Sequence, residues 1–196
     1  MRFSLVLLTV SLLSTSLFAQ VTVRDKLVAL PPVSICQDGA THKTIVTNHR
    51  LRPGAFNLGN FFGMPIEVTG TPGSVTCKFL NVTAIRAITV DQRSVASKTA
   101  TTAKVEFYGT DKNVYFLYAG ALSPNSLVLP GIDGPIHLNP NAVVFLGTFT
   151  PISTSVPYAT FFAPLTSVTL GVNIFDQAVA AQTGTAQMTN VDVFKF

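Results

Sequence analysis

The chain has 196 residues, of which 47% are hydrophobic and only 11% charged, with 13 Gly, 12 Pro and a formal net charge of +4. That balance excludes a disordered chain, which needs low hydrophobicity and high charge, and the scarcity of Glu, Lys and Arg argues against exposed helical faces. Thr, Val, Ser and Asn supply much of the polar surface, as they do on solvated sheets, so an all-β protein is expected.

The N-terminus reads as an export signal. Arg2 supplies a positive charge, residues 3–13 (FSLVLLTVSLL) form an apolar stretch, and a polar segment leads to the small Ala19, after which cleavage is expected. The apolar run is too short to cross a bilayer of roughly 30 Å, and no later stretch reaches the required length, so no integral membrane span is expected. The remaining chain should be secreted or held at the cell surface. Outside the cytoplasm disulfides persist, and Cys36 and Cys77 are the only cysteines. A structural disulfide between them is expected. Metal ligation is the rival reading, but two isolated cysteines lack the paired CxxC spacing of a zinc site.

Charge and composition divide the chain beyond Ala19 into two parts. From residue 20 to 96 there are eight Lys or Arg against four acids, and from 97 onward four Lys against five acids. Between them residues 94–103 (SVASKTATTA) are small and polar, which reads as a linker. The expected domains are therefore a basic, small β-barrel or meander over residues 20–93 and a β-sandwich or jelly-roll-like domain over 104–196.

In the first domain residues 44–47 (TIVT) read as a strand and Arg52-Pro53-Gly54 as a turn. Residues 66–69 (IEVT) alternate as a half-buried strand should, residues 70–73 (GTPG) break that strand, and residues 75–90 supply one long or two short strands. Residues 57–85 (NLGNFFGMPIEVTGTPGSVTCKFLNVTAI) resemble the centre of an OB-like barrel, where a short segment ending in Gly precedes a strand, a tight turn and a long strand. In the second domain strand signals fall at 104–108, 114–119, 126–129, 136–138, 142–148, 172–180 and 186–194, with Pro and Gly in the gaps, the rhythm of a double sheet. A helical turn is expected near 164–168.

The last ninety residues resemble the closing module of a set of uncharacterised secreted bacterial proteins. Leu129-Pro130-Gly131, Asp133-Gly134, Gln177-Ala178 and Thr189-Asn190 match its pattern, while the step after Tyr108-Gly109 is shorter than usual. The resemblance implies a β-sandwich accessory domain with no activity attached.

Motifs for catalysis are missing from the sequence. There is no GxSxG elbow for a nucleophile, no phosphate-cradling glycine loop and no DxDxDG calcium loop. His42, His49 and His137 read as surface histidines, and the aspartates as scattered turn residues. Asp133, Asn139 and Asn141 could ligate calcium from a loop, but turn formation accounts for them as well. No catalytic residue, metal or cofactor is expected. The competing class is a small extracellular hydrolase with an unfamiliar site.

Basic residues offer the main functional lead. Arg50 and Arg52 share a face if extended, since residues two apart point the same way. With Lys43, Lys78 and Arg86 they make a candidate cationic face for an anionic polysaccharide or extracellular nucleic acid, with Phe56, Phe61 and Phe62 as stacking platforms. Core packing for the rings and solubility for the arginines explain the same residues. Asn81-Val82-Thr83 fits a glycosylation sequon, and low-charge, Thr/Val-rich sheets allow self-association through strand edges. The overall expectation is a non-catalytic binding or structural protein.

Overall fold

The computed structural model describes residues 20–31, 36, 38–73, 77–95, 102–109, 113–150, 159–164 and 173–195, with backbone alone at 159–164. The expected export signal lies outside the described residues, as does most of the expected helical turn near 164–168. What is described is β throughout, apart from one turn of 3-10 helix at Leu58–Phe61. None of its helices is long and apolar enough to cross a membrane.

Five strands close a barrel: β1 (Val21–Ala29), β2 (His42–Thr44), β3 (Arg50–Arg52), β4 (Pro65–Pro72) and β5 (Phe79–Ala87), in the order β1-β2-β3-β5-β4 and back to β1. Neighbours are antiparallel except β3 and β5, which run parallel. That is the topology of an OB-like barrel. Alternate residues of β4 (Ile66, Val68) and β1 (Val23, Leu27) fill the interior with Leu51, Leu80 and Val82, and the 3-10 turn adds Leu58. Phe56 and Phe61 pack on this core, whereas Phe62 is exposed. The break expected at residues 70–73 is a bulge inside β4, between Thr69 and Gly70, and the strand runs on to Pro72. Only glycine fits there, because a Cβ on Gly70 would lie 2.6 Å from the Asn81 carbonyl oxygen.

Eight more strands complete the fold: β6 (Asp91–Val95), β7 (Thr102–Tyr108), β8 (Val114–Leu127), β9 (Ile136–Phe149), β10 (Ala159–Pro164), β11 (Asn173–Gln182), β12 (Thr185–Met188) and β13 (Asp192–Lys195). They form a three-stranded sheet in the order β10-β7-β6 and a five-stranded sheet in the order β12-β11-β8-β9, with β13 also pairing β11. The sheets share a core of Val105, Phe107, Tyr115, Leu117, Ala180 and Phe194, in which the Phe107 and Tyr115 rings stack 4.5 Å apart. Segments expected as two short strands each, at 114–129 and 136–148, are the long strands β8 and β9. Register shifts between Leu117 and Tyr118, Gly120 and Leu122, and Leu122 and Leu127 absorb the irregular residues.

The expected linker is largely strand at its ends. Ser94 and Val95 close β6, Thr102 and Ala103 open β7, and β6 pairs β7 from Asp91↔Tyr108 to Val95↔Lys104. The barrel passes into the sandwich earlier, through Ile88, Thr89 and Val90, two of which are buried.

One residue pins the two domains together. Arg24 of β1 is fully buried. Its Nε donates to Glu67 Oε2 at 2.7 Å, its Nη2 to Asp133 Oδ2 at 2.8 Å and its Nη1 to the Met188 carbonyl. Arg86 closes the ring, donating from Nε to the other Glu67 oxygen and from Nη2 to the other Asp133 oxygen, both at 2.8 Å. Two arginines and two carboxylates thus alternate in a cycle that spans the domain boundary. The Arg24 main chain joins in, its N–H donating to His137 Nε2 at 2.9 Å and its carbonyl accepting from Val191 N–H. Gly134 makes room: its φ is +99°, and a Cβ there would sit 2.1 Å from the guanidinium carbon.

Truncating one member of a buried charge network costs about 3–5 kcal/mol. Arg24→Ala is expected to lose that much and to split a single calorimetric unfolding transition into separate barrel and sandwich transitions. Gly134→Ala should produce the same split while leaving every charge in place.

Candidate functional site

The five expected basic residues do not form one open face. Arg50 donates from Nε to Asp38 Oδ2 at 2.6 Å and from Nη2 to Asp38 Oδ1 at 2.8 Å and to the Cys36 carbonyl. The bond from Arg50 is the main reason that the Asp38 carboxyl is lowered to about 2. Arg52 shares the face, but its guanidinium holds the Asp38 carbonyl and lies over the Phe79 ring, 4.5 Å from the centroid. Arg86 lies five residues along β5 from Asn81, the partner of Arg52, or about 17 Å at strand rise, and belongs to the interdomain ring. Lys43 and Lys78 alone of the five have no partner among the described residues. These contacts build a stiff platform. A disulfide joins Cys36 to Cys77, tying the β1–β2 connection to the β4–β5 connection, the loops that flank the ligand face of an OB-like barrel. The loop it closes, with a sequence separation of 41, is worth up to ~4 kcal/mol on the chain-entropy model.

Beside this platform a cleft of about 300 Å³ opens between the barrel and β8. Thr22, His49 and Lys78 line its barrel side, Ser123 and Asn125 its β8 side, and His137 also lines it. No carboxylate is among the described lining residues. His137 is not a surface histidine: only 5% of it is exposed, and its pKa is lowered to about 3, by burial first and then by His49 and Arg24. The ring is therefore neutral, and because Nε2 accepts the Arg24 N–H its proton sits on Nδ1, where no described group accepts it. Burial, then the charge of Lys78, also lowers the pKa of His49, whose buried Nδ1 has no hydrogen-bond partner among the described residues. The cleft is thus lined by two neutral imidazoles, hydroxyl and amide groups, and one ammonium. Such a set can hold an anionic or hydroxyl-rich ligand.

A cluster of acids lies elsewhere and corrects the expectation that the aspartates sit at turns. Asp91, Asp176 and Asp192 are in β6, β11 and β13, and Asp25 is in β1. Asp176 and Asp192 are direct cross-strand partners, so two charges there would repel. Asp176 Oδ2 accepts from Gln92 Nε2 and Ser94 Oγ, both at 2.7 Å, and Asp192 Oδ2 from Ser94 N–H at 2.9 Å. Burial, with the Asp192 charge adding to it, pushes the Asp176 carboxyl well above its ordinary range. Asp192 borders a shallow cavity, whereas Asp176 does not line it, so the pair does not present both carboxyls to one substrate. Asp133 and Asn139, the calcium candidates, also have structural partners: Asp133 joins the arginine ring, and Asn139 Oδ1 accepts from Asn141 N–H at 3.0 Å.

Because ionised Asp176 is disfavoured in the folded state alone, its cost is absent below the unfolded carboxyl pKa and grows as pH rises toward the higher folded value. Asp176→Asn removes that cost. Its stability relative to the parent should climb by about 1.4 kcal/mol per pH unit from about pH 4 upward, measured by urea unfolding at several pH values. A pH-independent difference would mean that Asp176 ionises freely.

Lys78 was a candidate from the sequence, but its grouping with His49 and His137 was hidden there for a definite reason. His49 and Lys78 lie in connections, and His137 in a Pro/Gly-rich stretch, so no periodicity links them. No protein-family model, curated protein or solved structure matches the chain, and its own geometry carries the functional case.

Proposed function

We propose that this is a non-catalytic binding protein that works outside the cytoplasm and holds an anionic polysaccharide in the cleft between its barrel and its sandwich. The observation that carries the reading is the lining of that cleft: Lys78, two histidines, hydroxyl and amide side chains, and no carboxylate among the described lining residues. The site is preorganised. The Arg24 ring sets the two walls, and the disulfide and the Asp38–Arg50 pair hold the barrel loops. A binding site formed in advance avoids the ordering cost of closing on its ligand.

The disulfide supports export, since such bridges persist outside the reducing cytoplasm. The residues shared with the closing module of secreted bacterial proteins support an accessory rather than a catalytic role. Asp133 and Gly134 serve the interdomain ring, and Gln177, Thr189 and Asn190 bind main-chain groups inside the sandwich. A polysaccharide is favoured over single-stranded nucleic acid because the latter is gripped by exposed stacking rings. Phe56 and Phe61 pack on the core, Phe79 lies buried beneath Arg52, and the exposed Phe62 is not among the residues that line the cleft.

The test is titration with an acidic oligosaccharide such as an oligogalacturonate, over a range of salt concentrations. Lys78→Ala should weaken binding several-fold and reduce the salt slope by about one, as loss of a single charge contact does. His49→Ala should weaken binding with the slope unchanged. Affinity indifferent to both substitutions would overturn the assignment.

A further inference from the structure

The outer face of the five-stranded sheet carries a second cavity, of about 280 Å³, and its chemistry is the opposite of the cleft's. Tyr118 of β8, Leu138 of β9 and Val179 of β11 form its floor, Leu129 and Ile132 of the β8–β9 connection form a wall, and Val143 adds to its lining. No charged side chain lines it among the described residues. Its one amide, Gln177, is fully occupied: Oε1 accepts from His137 N–H at 2.8 Å, and Nε2 donates to the Pro135 and Thr189 carbonyls, both at 3.0 Å. Apart from the Tyr118 hydroxyl, no side-chain hydrogen-bonding group among the described lining residues is left over to greet a polar ligand.

The wall does not rest on apolar contact alone. Asp133 N–H donates to the Ala186 carbonyl at 2.9 Å, and Met188 N–H to the Asp133 carbonyl at 2.8 Å. The Asp133 side chain is held by Arg24 and Arg86. The connection is therefore tied to β12 and to the barrel, which keeps the cavity from collapsing. Around it Leu127, Val128 and Phe145 are exposed at 41%, 63% and 51%, and the Phe145 ring lies 5.3 Å from that of Tyr118. Contiguous apolar surface of this kind marks a binding site.

We propose that this cavity binds the alkyl chain of an amphiphile and leaves the polar head in water. An inserted peptide backbone would strand its N–H and C=O groups, and a charged group would find no partner, so the inserted part must be hydrocarbon. An apolar cavity of about 150 Å³ is large enough for benzene. The cavity here is close to twice that and accommodates a medium-length chain. The site is distinct from the polar cleft and does not depend on it.

The test is calorimetric titration of the purified chain with octyl glucoside below its micelle concentration, with glucose as the control. Octyl glucoside should bind and glucose should not bind at this site. Val143→Phe and Val179→Phe, which fill the cavity from two strands, should each weaken binding at least tenfold without lowering the thermal midpoint, while Lys78→Ala should leave it unchanged. The proposal fails if octyl glucoside does not bind, or if both filled variants bind it as the parent does. It also fails if the chain dimerises in sedimentation and Val143→Phe abolishes the dimer, because the occupant would then be a second copy.

Discussion

Burying the guanidinium of Arg24 is the constraint on which the rest of the structure depends. An uncompensated buried charge is prohibitive, so every donor of the group must be met, and the partners come from places far apart in the sequence: Glu67, Asp133 and Met188. Meeting them brings β4, the β8–β9 connection and β12 to one point, and thereby sets how the barrel sits on the sandwich. The second arginine, Arg86, neutralises the cycle, which contains two cations and two anions. Burial raises the cost of charge on Glu67 and Asp133, but the two arginines outweigh it and hold both carboxyls below their ordinary range. Both cavities then inherit their geometry from the same ring. The polar cleft lies where β1 meets β8, and the wall of the apolar cavity is the connection that carries Asp133.

A second network does for the sandwich what the ring does for the junction. Gln92, Asp176, Thr189 and Asn190 are buried and bonded to one another or to main chain. Beyond the end of β12 at Met188, Thr189 and Asn190 take up main-chain N–H groups of β11 and β6 that would otherwise be stranded in the core. Thr189 Oγ1 takes the Ala178 N–H, and Asn190 Oδ1 takes the Gln92 N–H. Thr189 and Asn190, two of the residues in the run singled out from the sequence, thus have a mechanical reason to be the types they are. A pattern built on such needs speaks to architecture and is silent about ligand.

The period-2 segments were legible where one face is buried and the other wet, as in β4, whose Ile66 and Val68 face the barrel interior. β1 was not legible. Its residues Val23, Arg24 and Asp25 are all buried in succession, because one face of the strand lines the barrel while the other meets the sandwich. Alternation disappears when both faces are covered, and the charged pair at the centre reads as surface. The sequence signals for β8 and β9 stop short for another reason. Pro124 and Pro140 normally end strands, but here they fall in irregular stretches, with β9 at the edge of its sheet. The cleft was illegible because it depends on the interdomain angle, which is set by bonds across more than a hundred residues, such as the one between Arg24 and His137.

Counting charge along the chain also differs from knowing where charge acts. The first 77 residues after the expected leader carry eight cations and four acids, which invites the picture of a broad basic face. In the folded chain Arg24 and Arg86 are balanced by Glu67 and Asp133, Arg50 by Asp38, and Lys26 by Asp91. The cations left over are Lys43, Arg52, Lys78 and Arg93, and Arg52 is already laid across Phe79. Among them, Lys78 is the one that lines the cleft between barrel and sandwich. The single lysine at the cleft is therefore the one cation its described lining presents, and the arginines that dominate the sequence hold the barrel loops and the junction in shape.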